Sequence, residues 1–392
     1  MRSSRGIGGL LVATTRSPDG APSADLARLV HAVDVADFVR AVAHHRVVGP
    51  VWHALGPTGL LDGDTAASLQ ALHRASVARH LLLLEGLAVA ADALDGGSIP
   101  WLVFKGPVLA ELVYARPDER AYTDLDLLVA PAHLPDAVHA LELSGARLLD
   151  ANWRLIADDV PGELHLLLPS GGVLDLHWHV VCEKDARRHV GFPAEEILAR
   201  SGRREVGSRA VPVMDPVDIL VHVALHASLA GADRLVWLKD VEQCVLRHDV
   251  DWPLVVRRAR EHGAAVATGL MLSRAAVVLG LEVPTEVVHE LVPSPGLRWA
   301  MTAVDSVWPV HRARPGGSPS RLIARAARRN ASATRGEVVR RVAGWARDGG
   351  SDPARLHARA LDAAYEGSLL HPAGTPEDRE RYFRAVRSET GS

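Results

Sequence analysis

The spacing of apolar and polar residues changes several times along the chain. Over residues 24–33, 37–45 and 65–94 apolar positions recur every three or four residues, which predicts amphipathic helices. Asp64 precedes the longest of these as an N-cap candidate, and Gly96-Gly97 stops it. Residues 99–104 are a short apolar run that reads as a strand. Lys105-Gly106-Pro107 follows, then a helical stretch over 108–114, with Pro107 in a first turn where its missing donor costs nothing. Residues 123–129 read as a strand and 134–143 as a helix halted by Ser144-Gly145. Two more strands, 163–168 and 173–181, flank the hairpin loop Pro169-Ser170-Gly171-Gly172. The helical period then returns in 218–229, 235–247 and 253–279, with Gly280 as a stop.

This succession predicts an α+β protein in which a small mixed sheet is embedded in mainly α-helical regions. Its expected parts are a disordered tail (1–22), a helical region (23–96), an α+β core (97–182), a second helical region (183–310), a Pro/Gly/Ser linker (311–320) and an Arg-rich helical region (321–392). A length of 392 residues and an apolar content of 48% suit more than one folded core, and an aromatic content of 4% leaves Ala, Val and Leu to fill them.

Composition removes several function classes. A net charge of −3 gives no global attraction for polyanions. The most apolar stretch, 80–91, is too short to span a bilayer and contains Glu85, so no membrane partner is expected. Cys182 and Cys244 can form neither a disulfide framework nor a four-thiolate zinc site, which fits a cytoplasmic protein.

Candidate chemistry gathers in the core. On a strand, residues two apart share a face, so Asp124 and Asp126 aim two carboxylates one way while Leu125, Leu127 and Val129 aim the other. Paired carboxylates repel unless a cation lies between them; Mg²⁺ with oxygen ligands would relieve that repulsion. A turn aspartate beside an exposed one is the structural alternative. Lys105-Gly106, at a strand-to-helix junction, offers backbone N–H groups and a cation for phosphate, or simply a tight turn. In Val173-Leu-Asp-Leu-His-Trp-His-Val180, period two puts Asp175, His177 and His179 on one face and Leu174, Leu176 and Trp178 on the core face. Asp175 can complete a carboxylate trio or take a proton, and His177 can orient a carboxylate or touch phosphate. A zinc reading of His177 and His179 with a carboxylate lacks a Cys partner.

Phe104-Lys-Gly-Pro107, Arg120, Thr123-Asp-Leu-Asp-Leu-Leu-Val129 and Val173-Leu-Asp-Leu-His-Trp178 together resemble the uncharacterised nucleotidyltransferase family of the polymerase β-like superfamily. The resemblance extends over about residues 36–281, taking in His222, His226 and Trp237-Leu-Lys-Asp240. It implies transfer of a nucleoside monophosphate from an NTP to a hydroxyl of an unidentified acceptor. Asp124, Asp126 and Asp175 would be the ligands of two Mg²⁺ ions (or Mn²⁺), Lys105 and Gly106 would contact the triphosphate, and Arg120 and His177 would assist there. The superfamily turn is usually Gly-Gly or Gly-Ser; Lys105-Gly106 stands in its place.

Outside the core, His222 and His226 share a helix face but lack the Glu of H-E-x-x-H, so packing is their simpler role. Trp237 and Asp240 read as helix packing and a helix-surface charge. Between residues 311 and 347 ten arginines face one acid, Glu337, a stripe able to hold RNA or to form a solvated helix face. Two rivals to the transferase reading are a non-catalytic nucleotide- or partner-binding protein and a toxin- or defence-type transferase acting on tRNA or protein.

Overall fold

The strands with a clear alternation pair into one mixed sheet: β1 (Trp101–Val103), β2 (Asp124–Val129), β3 (Arg147–Leu148), β4 (Glu163–Leu167), β5 (Val173–His177), β6 (Gly202–Val206) and β7 (Arg209–Val213). Their spatial order is β3-β4-β5-β2-β1-β7-β6. β2 runs parallel to β5 and antiparallel to β1, and β1 is parallel to β7. This computed structural model describes residues 2–16, 23–247, 249–307, 309–312, 324–347 and 369–389.

Leu125, Leu127, Leu164, Leu166, Leu174 and Leu176 line one face of β2, β4 and β5 and are fully buried. Each such side chain contributes about 1.5–3 kcal/mol relative to exposure, which fixes the register: a one-residue slip would put every one of them on the other face. The chain divides into two compact units, neither a single stretch. One comprises Met1–Ala78, Val113–Tyr122 and Leu220–Leu356; the other, holding the whole sheet, comprises Arg79–Leu112, Thr123–Ile219 and His357–Ser392.

Several expectations need correction. Residues 1–22 were expected to be a disordered tail, but Arg2–Thr15 is a helix whose Leu10 and Leu11 are fully buried. Its glycines, which suggest a loop, serve close packing: a Cβ at Gly8 would collide with the His311 ring. Asp62, not Asp64, caps the helix Gly63–Gly96, its Oδ1 accepting from the Thr65 N–H at 2.9 Å. The apolar run 253–279 is two helices, Trp252–Glu261 and Ala265–Leu279, broken at 262–264. The region 183–310 is not wholly helical, since β6 and β7 lie in it and extend the sheet. Of the linker 311–320, residues 313–320 lie outside the described residues, as do Arg314 and Arg321. Among the described residues no helix is long and apolar enough to cross a membrane.

Candidate functional site

Strand register assembles a polar row on the face opposite the buried leucines. Asp126 of β2 lies across from Asp175 of β5, and Asp175 lies across from His165 of β4. Next to this row, Glu163 of β4 lies across from His177 of β5. Asp126 Oδ1 accepts from Lys105 Nζ at 2.6 Å and faces His177 Nε2 at 3.1 Å. His177 Nε2 is also 3.2 Å from Glu163 Oε2, and its Nδ1 is 3.9 Å from Cys182 Sγ. Phe104 packs edge-on against the His177 ring, 5.0 Å between centroids, and so holds it in place.

Lys105 reaches Asp126 because the chain leaves β1 at a sharp turn. Gly106 has φ +43°, a left-handed conformation that side-chain-bearing residues avoid, and a helical turn over Gly106–Val108 follows. On the far side of the row, Asp150 accepts from the His165 backbone N–H at 2.7 Å and from His165 Nδ1 at 3.1 Å. That leaves His165 Nε2 pointing inward, 3.9 Å from Asp175 Oδ1 and 3.8 Å from Glu163 Oε1.

The electrostatics of the row are uneven. Burial raises the Asp126 carboxyl, but Lys105 and His177 outweigh it and hold the group well below the usual carboxylate range. Glu163 is likewise lowered, burial being overcome by His177 and His165. Asp175 goes the other way: burial and the neighbouring Glu163 push its carboxyl well up. His165, despite burial, is raised to about 10 by its bond to Asp150 and by the surrounding carboxylates. Cys182 is pushed well up by burial and Glu163.

A cation would answer this imbalance. Asp126, Asp175 and His177 each offer a donor atom, and the three lie within 4.8 Å of one another. Asp175 Oδ1 is buried and, among the described residues, accepts no hydrogen bond. A buried carboxylate oxygen without a donor is costly, and a divalent ion bound by oxygen-rich ligands satisfies it. The residues present therefore fit such an ion.

The chain belongs to the uncharacterised nucleotidyltransferase family. That family's sequence profile matches residues 31–280, which contain the whole polar row. No curated protein matches the chain. Among solved structures it is similar to a lincosamide antibiotic adenylyltransferase bound to lincomycin, at 16% identity over 42% of this chain and 97% of that one, with a TM-score of 0.30. It is also similar to the antibiotic-resistance factor ANT(2'')-Ia, at 14% identity over 59% of this chain and 95% of that one, with a TM-score of 0.30.

Within this nucleotidyltransferase, the residues singled out from sequence separate into two groups. Lys105, Asp126, Asp175 and His177 are brought together, with Gly106 shaping the turn that carries Lys105. Asp124 is half-exposed at the start of β2 and accepts from Thr123 Oγ1 at 3.0 Å; its charge acts on both Lys105 and Asp175. Arg120 has a different partner from the expected phosphate: its Nε and Nη2 donate to Asp240 at 2.8 and 3.0 Å, and both side chains are buried. Asp240 is thus not a helix-surface charge. His179 is outside β5, its Nδ1 accepting from the Val181 N–H at 3.0 Å. Of the Arg-rich stripe, Arg328, Arg340 and Arg341 all contact Glu337, whereas Arg329 and Arg335 are exposed.

Asp150, Glu163, His165 and Cys182 join the site without having been read from sequence. The Glu163-Leu-His165-Leu alternation was the available signal for Glu163 and His165, because it sets both side chains on one face of a predicted strand.

Proposed function

We propose that this nucleotidyltransferase moves a nucleoside monophosphate from an NTP to a hydroxyl of an acceptor, using two divalent ions, Mg²⁺ or Mn²⁺, held by Asp124, Asp126 and Asp175. The observation that carries the reading is the buried Asp175 Oδ1, which accepts no hydrogen bond among the described residues, on the residue directly across from Asp126. Ions held by these carboxylates would supply Lewis-acid stabilisation of the charge that develops during phosphoryl transfer.

The chain's own residues do the rest. His177, wedged by Phe104, holds the Asp126 carboxylate in one orientation. Lys105 neutralises that carboxylate in the free protein and, from the Gly106 turn, is placed to meet the triphosphate. Arg120 is engaged by Asp240 and serves in this reading by fixing the segment that leads into β2, not by touching phosphate.

Thermal unfolding with each NTP, with and without Mg²⁺, tests the reading on the parent and on Asp126→Asn. Ligand at a hundred times its dissociation constant adds about 2.7 kcal/mol to stability. A Mg²⁺-dependent rise with one NTP, absent from the variant, is expected. A rise that survives in Asp126→Asn supports the non-catalytic binding protein instead, and no rise with any nucleotide overturns nucleotide binding altogether.

A further inference from the structure

The His177 ring has two polar edges, and the proposed nucleotidyl site uses only one of them. Nε2 faces Asp126; Nδ1 faces the Cys182 thiol at 3.9 Å. Cys182 Sγ in turn donates to Glu163 Oε2 at 2.9 Å. Glu163, His177 and Cys182 thus present an oxygen, a nitrogen and a sulfur, with one donor atom of each within 4.8 Å of the others.

We propose that Glu163, His177 and Cys182 form a second metal site, beside the oxygen-rich one, that takes a thiophilic divalent transition-metal ion of the zinc class. Zinc bonds of about 2.0–2.3 Å set the ligand atoms of a tetrahedral site roughly 3.3–3.7 Å apart. The Cys182–Glu163 and Cys182–His177 separations of 2.9 and 3.9 Å bracket that range, and one donor atom of each of the three residues lies within 4.8 Å of the others. Three protein ligands leave a fourth position for water or a substrate oxygen. Mg²⁺, which demands oxygen ligands, is disfavoured here by the sulfur and nitrogen.

The surroundings also suit such a site. With an ion on Nδ1, His177 Nε2–H donates to Asp126 Oδ1 at 3.1 Å, the carboxylate–histidine–metal arrangement that fixes the ring and raises its basicity. The Cys182 backbone is pinned, since its carbonyl accepts from Gly162 N–H at 2.9 Å and from Arg187 Nη1 at 2.6 Å. Coordination replaces the proton on Sγ, which leaves to solvent. In the cluster His53, His73 and Asp118, Arg116 Nη1 donates to His53 Nδ1 at 2.9 Å, so His53 Nε2–H donates to Asp118 Oδ2 at 3.0 Å and that nitrogen has no lone pair for an ion.

Cobalt titration of the chelator-treated full chain tests the site, because a thiolate bound to Co²⁺ gives a near-ultraviolet charge-transfer band. The expected result is one saturable equivalent, displaced by stoichiometric Zn²⁺ but not by excess Mg²⁺, lost in Cys182→Ser and retained in Cys244→Ser. Cys182 and Cys244 are the only cysteines, so the two variants account for every thiolate source. No band in the parent, or a band that survives Cys182→Ser, overturns the proposal. If Cys182→Ser does not fold, Glu163→Gln decides: Co²⁺ affinity falling at least roughly tenfold sustains the site, and unchanged affinity ends it. No nucleotide enters the measurement, so its outcome is independent of the transferase reading.

Discussion

Two buried charge networks in this protein look alike in composition and differ in balance. In the mainly helical unit, Asp240 takes both arms of the Arg120 fork and also the Tyr114 hydroxyl at 2.7 Å, while Lys239 pairs with Glu242 at 2.7 Å. Both Asp240 and Glu242 thus have a cation in contact. In the sheet unit, Asp126, Asp150, Glu163 and Asp175 gather around Lys105, His165 and His177, and one carboxylate oxygen is left without a donor. Both networks contain strongly shifted groups, so a shifted group alone does not mark a site.

The largest effect is expected at Asp240. Asp240→Asn leaves the buried Arg120 guanidinium without its counter-charge, which costs about 3–5 kcal/mol and should lower the unfolding midpoint by roughly 10 °C. Calorimetry on the metal-free protein reads this directly. The corresponding change in the sheet unit has the opposite character. Asp175→Asn replaces a buried carboxyl whose Oδ1 accepts no hydrogen bond, so the apo protein should keep or gain stability while losing the Mg²⁺- and NTP-dependent increment of about 2.7 kcal/mol. Equal destabilisation by the two variants would erase the distinction.

Two histidines sharpen it through pH. His165, raised to about 10, contributes stability that is complete below pH 6.5 and is lost as pH rises towards 10. His45, buried in the helical unit and lowered to about 3, does the reverse: stability is complete above pH 6.5 and falls as pH drops towards 3. Denaturant midpoints across that range should therefore flatten on the alkaline side in His165→Gln and on the acid side in His45→Gln. The smallest effect belongs to the exposed stripe. Arg329→Ala with Arg335→Ala should alter stability by less than about 0.5 kcal/mol. An unchanged salt slope of RNA retention in that variant would remove these two side chains from any RNA contact.

Much of the site was legible because strand chemistry is local. Period two alone puts Asp124 with Asp126, and Asp175 with His177, on shared strand faces, and the Lys105-Gly106 turn follows from a strand meeting Pro107; joining the two strands into one candidate site rested on the family resemblance. What escaped depends on register between strands distant in sequence. Nothing local to Asp240 says that Arg120, 120 positions away, is its partner. Cys182 lies five residues from His177 and returns to it only because the chain turns back after β5, where continued alternation had been expected to carry His179 to the same face. The helix Arg2–Thr15 was hidden for a related reason: its glycines signal a loop locally, and only the burial of Leu10 and Leu11 overrides them.

The helix Pro376–Ser388 packs its Tyr382 and Phe383 against Trp153, and the Tyr382 hydroxyl receives the Trp178 indole N–H at 3.0 Å, one residue from His177. During synthesis the strands that carry the polar row therefore leave the ribosome long before the segment that braces them. Up to residue 375 a nascent chain carries every carboxylate of the site but not this support, so translation itself sets the moment at which the sheet unit becomes complete.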